Sequence, residues 1–214
     1  MRRLVDSPTM DAIVDSQVPA FMGANLRALR QRAGMSVRAL ARTVGVSPSL
    51  VSQVELGKAN PSVGTLYAIV TALGLSLDEV FAAPTDAPRP GDSVLRAADR
   101  PTLELESGVR WERLTPSLDP DVDFLHVTYA VGGASCPPGE LMRHSGREYG
   151  LVLSGCLGAA VGTETYELAP GDSIVLDSMT PHRFWTVGEE PSVVVWTILG
   201  KAGDDRGFTA GAAR

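Results

Sequence analysis

From Phe21 to Phe81 the apolar side chains recur with a helical period. In GANLRALRQRAG, Leu26, Leu29 and Arg30 stand at i, i+3 and i+4, and Gly34 follows as a stop. Ser36 is placed to cap a second helix, VRALARTV, that ends at Gly45. Ser47 and Pro48 open a third, since proline at the first helical position gives up an N–H that has no partner there. LVSQVEL carries that helix to Gly57; Ser62 then opens VGTLYAIVTALG and Ser76 the short LDEVF. AAPTDAPRPGD reads as a linker. Beyond it the period becomes that of strands. FLHVTYAV, YGLVLSG, SIVLD and SVVVWTIL are separated by turn clusters such as CPPGE, APGD and VGEEP. In the last of these, Val194, Trp196 and Ile198 fall on one face. The pattern predicts a multidomain chain: an all-α five-helix domain, then an all-β antiparallel sandwich or barrel. The expected boundaries are a leader over 1–20, the helical domain over 21–83, a linker over 84–94, the β domain over 95–200 and a tail over 201–214.

A length of 214 residues suffices for two small domains, each with its own core. No apolar run reaches the roughly 20 residues of a membrane span, so no membrane partner is expected. Arg2 and Arg3 are not followed by the apolar stretch of a secretory signal, which places the protein in the cytoplasm. Cys136 and Cys156 lie in what read as neighbouring strands; a disulfide or two free thiols fit, and a reducing compartment favours thiols. The net charge of −6 disguises an asymmetry: residues 20–83 carry +3 and residues 84–214 carry −8. A basic helical domain beside an acidic β domain directs attention to nucleic acid for the first half only.

Within the helical half, VRALARTVGVSPSLVSQVEL has the spacing of a helix-turn-helix. Ala41 is small where two helices cross closely, and Gly45 suits a left-handed turn. Val46 plugs the angle, while Val51 and Val54 face inward. With the following SPSLVSQVELGKANPSVGTLYAIVTALGLSLDEVF, the segment resembles the DNA-binding domain of the Cro/phage-repressor-like (XRE) family over about residues 22–83. That resemblance implies a second motif helix in the major groove of double-stranded DNA. Carried over by position, Ser47, Pro48, Ser49, Ser52 and Gln53 approach the bases. Gln53 is able to pair with adenine through both amide groups. Arg38, Arg42, Lys58 and Asn60 are the phosphate candidates. Val37 is apolar where some family members carry a polar phosphate contact. One domain at +3 is a weak binder, so a homodimer on an inverted repeat is expected.

In the β half, MRHSGREYGLVLSG sets His144 four residues before Glu148, with Gly146 available for a turn between them. His182, after APGDSIVLDSMTP, is a third candidate, and two histidines with one carboxylate suit a divalent transition metal such as Fe, Mn, Ni or Zn. Residues 105–199 resemble a cupin. His144, Glu148 and Gly155, with Pro138 and Gly139, match its first motif; Pro170, Gly171, Asp172, Pro181 and His182 match its second. Met142 stands where the first motif histidine belongs, and Thr186 where asparagine is common. The resemblance implies a double-stranded β-helix with a three-ligand metal site. The same side chains can instead line an organic-ligand pocket, with Glu148 paired to Arg143, Arg147 or Arg183. Met142 and Arg143 are expected in the effector pocket, Cys136 and Cys156 beside it. Trp111, Arg113, Tyr129, Phe184, Trp185 and Trp196 are available for its walls. His126 reads as an ordinary strand residue.

The combined reading is a sequence-specific transcriptional regulator, not an enzyme, whose cupin senses a small-molecule effector with or without a metal. The linker is expected to tether the cupin loosely, so that signals pass through a cupin dimer. The alternative is a mononuclear metal oxidoreductase: proteins joining these two domain types exist in which the cupin is a non-haem iron oxygenase or epoxidase with a His-Glu-His triad.

Overall fold

The computed structural model describes residues 20–75, 77–81, 93–117, 119 and 121–200. The expected leader up to residue 19, the cap at Ser76, most of the linker and the tail lie outside the described residues. Among the described residues five helices come first: α1 (Ala20–Arg32), α2 (Val37–Val44), α3 (Pro48–Glu55), α4 (Val63–Leu73) and α5 (Leu77–Phe81). Ser36, Ser47 and Ser62 each accept a hydrogen bond through the side chain from the backbone N–H three residues on. Each satisfies a donor that the helix itself leaves free. Gly45 closes α2 at φ 79°, where a Cβ would be strained, and its N–H returns to the Ala41 carbonyl. Ala41, Val51 and Val54 are buried between the helices of the motif.

Burial of Arg30 is less obvious from its chemistry. It stands on the apolar stripe of α1 with Leu26 and Leu29, and its guanidinium reaches Glu55 at the end of α3. Nη2 donates to Glu55 Oε2 at 2.8 Å, and Nη1 donates to the Met35 carbonyl at 2.6 Å. Both side chains are under 10% exposed, so the pair sits largely out of water. Desolvation makes such a pair a poor source of net stability, but either member alone would be an uncompensated buried charge.

Among the described residues nine strands follow: β1 (Thr102–Leu105), β2 (Val109–Arg113), β3 (Val122–Tyr129), β4 (Arg147–Ser154), β5 (Cys156–Val161), β6 (Glu164–Leu168), β7 (Ser173–Asp177), β8 (His182–Val187) and β9 (Ser192–Leu199). They form a six-stranded sheet, in the order β1-β2-β3-β9-β4-β7, and a three-stranded sheet, β6-β5-β8. All their pairings are antiparallel. Trp111, Leu125, Val127, Val194, Trp196 and Ile198 of the larger sheet and Leu157, Ala159 and Phe184 of the smaller are buried, in the two-layer arrangement of a cupin sandwich. Cys136 and Cys156 are free thiols.

The expectation of a loose tether is corrected. The Gly64 N–H, in the first turn of α4, donates to the Ser135 carbonyl at 3.1 Å, and the Glu106 N–H donates to the Pro61 carbonyl at 3.2 Å. A helix start leaves N–H groups without partners, and here the β domain supplies one acceptor.

Glu55→Ala should destabilise the protein by about 3 kcal/mol or more, because it leaves Arg30 buried and unpaired. The double variant Arg30→Met, Glu55→Leu should recover most of that loss. Denaturant unfolding of the three proteins checks both values.

Candidate functional site

Two groups of side chains carry the chemistry. The first lies on the helix-turn-helix. Pro48, Ser49 and Gln53 of α3 are exposed, and Ser52 is half-buried beside them, while Val51 and Val54 anchor the opposite side. Positions 49, 52 and 53 share a face because they are three and four residues apart. The Ser47 oxygen is engaged as the cap of α3, accepting from the Leu50 N–H at 3.1 Å. Arg38, Arg42 and Lys58 are exposed and Asn60 is half-buried. Leu56, next to Lys58, is an exposed apolar residue at 54%.

The second group is inside the sandwich. Met142 pairs with His182 through two backbone hydrogen bonds, Met142 N–H to the His182 carbonyl at 2.9 Å and the reverse at 3.0 Å. The His144 N–H continues this pairing to the Ser178 carbonyl at 3.1 Å. Gly146 then turns the chain into β4 at φ 112°; a Cβ there would lie 2.7 Å from the Leu199 carbonyl oxygen. On β4, alternation buries Glu148 and exposes Arg147 and Tyr149. His144, Glu148 and His182 thereby meet although their positions span 39 residues.

The Nε2 atoms of His144 and His182 lie 3.0 and 3.3 Å from Glu148 Oε1. None of the three atoms is aligned for a hydrogen bond, and all are buried. The other ring nitrogens are engaged: His144 Nδ1 lies 3.1 Å from the Ser145 carbonyl, and His182 Nδ1 lies 2.8 Å from the Thr180 carbonyl. A carbonyl only accepts, so each Nδ1 carries the hydrogen, and in the neutral rings each Nε2 presents a lone pair. With both rings neutral, two lone pairs and a carboxylate oxygen converge. Such a set fits a cation, and these donor types fit a divalent transition metal. The carbonyls behind the imidazoles are the outer partners usual for metal-bound histidine.

Burial pushes the Glu148 carboxyl upward, but a proton shared with His144, positive charge on His144 or His182, and the Ser178 hydroxyl outweigh it and hold the group below its ordinary range. Burial also lowers the His182 imidazole against the opposing pull of Glu148, which keeps it neutral and able to bind a metal. Burial, and next the Glu148 charge, raises the Tyr67 and Tyr129 phenols well above their usual value, so both are neutral.

The cavity around these groups is lined by Trp111, Tyr129, Met142, Phe184 and Trp196, among others, and by Val63 and Tyr67 of α4. Several expected neighbours are elsewhere. Arg143 is exposed and does not line the cavity, because Met142 and His144 on either side of it turn inward. Glu148 faces the histidines rather than an arginine. Arg183 lies over the Trp185 ring at 4.7 Å and donates to the Cys136 carbonyl. Trp185 and Arg113 are not in the wall, and neither cysteine lines it. His126 faces Glu112 across β2 and β3 at 2.8 Å, away from the site. Tyr67 and Val63 carry no sign of this role in the helical pattern, which marks them only as apolar positions.

The helix-turn-helix family model matches residues 26–80, and the cupin domain model matches residues 125–198. The HTH-type transcriptional regulator PuuR of Escherichia coli is 30% identical over 164 residues, which are 76% of this chain and 85% of that protein. A solved HTH_3 family transcriptional regulator from Vibrio cholerae superposes with a TM-score of 0.60 at 21% identity, covering 84% of this chain and 95% of the other. The hydroxypropylphosphonic acid epoxidase from S. wedmorenis reaches a TM-score of 0.43 at 21% identity, over 86% of this chain and all of the other.

Protein purified without chelators should hold close to one equivalent of a divalent transition metal, and His182→Ala should lose it. Met142→His should tighten retention at least tenfold by adding a fourth ligand. With His182 depressed and Glu148 ionised, uptake should be level through neutral pH and fall only on the acid side of the ordinary imidazole range, where protons compete with the metal. Elemental analysis and metal titration across pH check these outcomes.

Proposed function

The chain belongs to the helix-turn-helix transcriptional regulators with a C-terminal cupin domain, and we propose that it binds an operator as a cytoplasmic homodimer whose grip is set by a small molecule in the cupin. The observation that carries this reading is the exposed face of α3. Ser49 and Gln53 project into solvent, half-buried Ser52 lies beside them, and two buried valines fix the helix beneath them. An exposed Gln and Ser at this spacing suit base edges in the major groove, with Gln53 matched to adenine. Arg38, Arg42, Lys58 and Asn60 flank that face and would meet phosphates, which set affinity rather than sequence choice. The helical domain is taken as 21–83 and the sensor as 95–200, with the linker between.

In the sensor, His144, Glu148 and His182 would hold the metal. A bound metal would supply an open coordination position for one oxygen or nitrogen donor of the effector. The aromatic walls would hold an apolar body beside it. A second reading, a metal-dependent oxidoreductase, is favoured by the same triad, since three ligands leave positions open. Substrate-dependent oxygen consumption by iron-loaded protein would establish it.

Two heads are needed because a single domain at net +3 makes few phosphate contacts. The outer face of the six-stranded sheet supports a second copy as the partner. Tyr149, Leu151 and Leu153 of β4 and Val175 of β7 are 40–48% exposed, and Tyr149 and Val175 are register neighbours. Contiguous apolar surface of this kind marks an interaction site.

Selection from random duplexes should return an inverted repeat with half-sites about one helical turn apart. Gln53→Ala should relax preference at one position per half-site and leave the salt dependence intact. Lys58→Ala should weaken binding to all sequences and reduce the salt slope by about 1 per head. Failure to enrich any sequence would remove the regulator reading. Separately, Leu151→Arg should convert the dimer to monomer in light scattering and lower operator affinity at least tenfold; an unchanged dimer would place the interface elsewhere.

A further inference from the structure

Two of the side chains that close the cupin cavity come from outside the β domain. Val63 and Tyr67 belong to α4, a helix of the DNA-binding domain. The Tyr67 ring lies flat on the His144 imidazole, centroids 4.0 Å apart and planes 2° from parallel. Its edge relation to Trp111, at 5.6 Å and 70°, completes the contact. The helix is held there by the hydrogen bond from Gly64 to Ser135. On the helix, Val63 and Tyr67 are one turn apart and form one edge of a broad buried stripe that includes Leu66, Ile69 and Val70.

With Tyr67 in place, the space open to the centre of a water molecule is about 20 Å³. That is room for about one water, or for a metal ion. Pockets for organic ligands enclose about 300–1,000 Å³. The docked position of α4 leaves Ser49 and Gln53 exposed, so the domain can lie on the cupin and face DNA at once.

We infer that α4 of the DNA-binding domain is the lid of the cupin site: a ligand larger than water reaches His144, Glu148 and His182 only by displacing Tyr67. Displacement frees the reading head from the cupin. Docked heads on a cupin dimer keep a fixed separation, whereas freed heads must be ordered again on each operator, which lowers DNA affinity. The ligand class that suits the opened site has one metal-binding donor atom and a flat apolar body, set by Trp111, Tyr129, Phe184 and Trp196. This rests on the regulator reading above for its DNA consequence, but not for the lid itself.

A native thiol gives the test. A Cβ built on Gly64 lies 3.8 Å from the Cys136 Cβ, a usual separation for a disulfide. Gly64→Cys in a Cys156→Ser background should therefore lock the lid on oxidation and release it on reduction, and the reduced form controls for folding. The probe is imidazole, added to cobalt(II)-loaded protein and followed by the visible absorption of the metal. The cross-linked form should bind imidazole at least tenfold more weakly than the reduced form, and Tyr67→Ala at least tenfold more tightly than the protein with Tyr67. Equal binding by cross-linked and reduced forms overturns the lid. A metal-free readout uses alkylation of Cys136 by iodoacetamide in the Cys156→Ser protein. Cys136 lies outside the cavity but against α4, its Cβ 3.8 Å from a Cβ built on Gly64, so Tyr67→Ala, by loosening the docked helix, should speed alkylation at least tenfold, and an unchanged rate overturns the release of the helix. On a selected operator, the cross-linked form should bind within twofold of the reduced form, with imidazole and cobalt weakening only the latter. Weakening of both forms overturns the coupling. If no operator is selected at all, the regulator reading falls while the imidazole and alkylation results still decide the lid and its release.

Discussion

Two backbone carbonyls determine what the cupin site is. By accepting from Nδ1 of His144 and His182, the carbonyls of Ser145 and Thr180 leave both Nε2 lone pairs aimed at the Glu148 carboxylate. Had the rings the opposite tautomer, each Nε2–H could donate to Glu148, and the three groups would form a closed polar cluster needing nothing further. With both rings neutral, three buried acceptors face one another, an arrangement that costs free energy until a cation, a metal ion or a proton, joins it. The pairing of Met142 with His182 and the turn at Gly146 serve this end. They bring the 142–148 segment alongside β8 and set its side chains inward.

The substitution of Met142 for a histidine changes this balance without abolishing it. A thioether on the cavity wall is a soft, weak ligand, so the metal would rest on two imidazoles and one carboxylate. Fewer protein ligands leave more positions for a small molecule, which suits a sensor and an oxygen-activating centre alike. What separates these two readings is the other half of the chain: an enzyme gains nothing from an exposed Ser and Gln on a helix held by Val51 and Val54.

Legibility in the sequence followed the range of the interactions. Helix caps at Ser36, Ser47 and Ser62 and the turn at Gly45 depend on neighbours within a few residues, and they could be read directly. The strongly apolar strands β3, β4, β7 and β9 were legible by period. TLEL, VRWER, CLGAAV, ETYEL and HRFWTV were not, since most mix charged or small residues with a few apolar ones and gain their strand identity from partners across the sheet. His144, Glu148 and His182 were found through their chemistry and motif spacing. Arg143 was misplaced because strand alternation, not sequence adjacency, decides which side chain enters the cavity. The buried Arg30–Glu55 pair and the role of Tyr67 were invisible. Each depends on a contact between elements that only the folded chain brings together.

The docking of α4 also bears on how large any response to a ligand can be. A ligand shifts the protein between docked and freed heads only by the difference in its affinity for the two states. What it works against is the contact made by Tyr67 and Val63 and the two backbone bonds, Gly64 to Ser135 and Glu106 to Pro61. Burying a large side chain contributes about 1.5–3 kcal/mol, and one such hydrogen bond about 1 kcal/mol. A barrier of that order is within reach of one metal-bound donor and an aromatic pocket. A fully packed interface would hold the heads down against most small molecules, and a bare tether would leave nothing to release. The modest contact made by α4 lies between those limits, where the occupancy of one cavity can decide the position of a reading head.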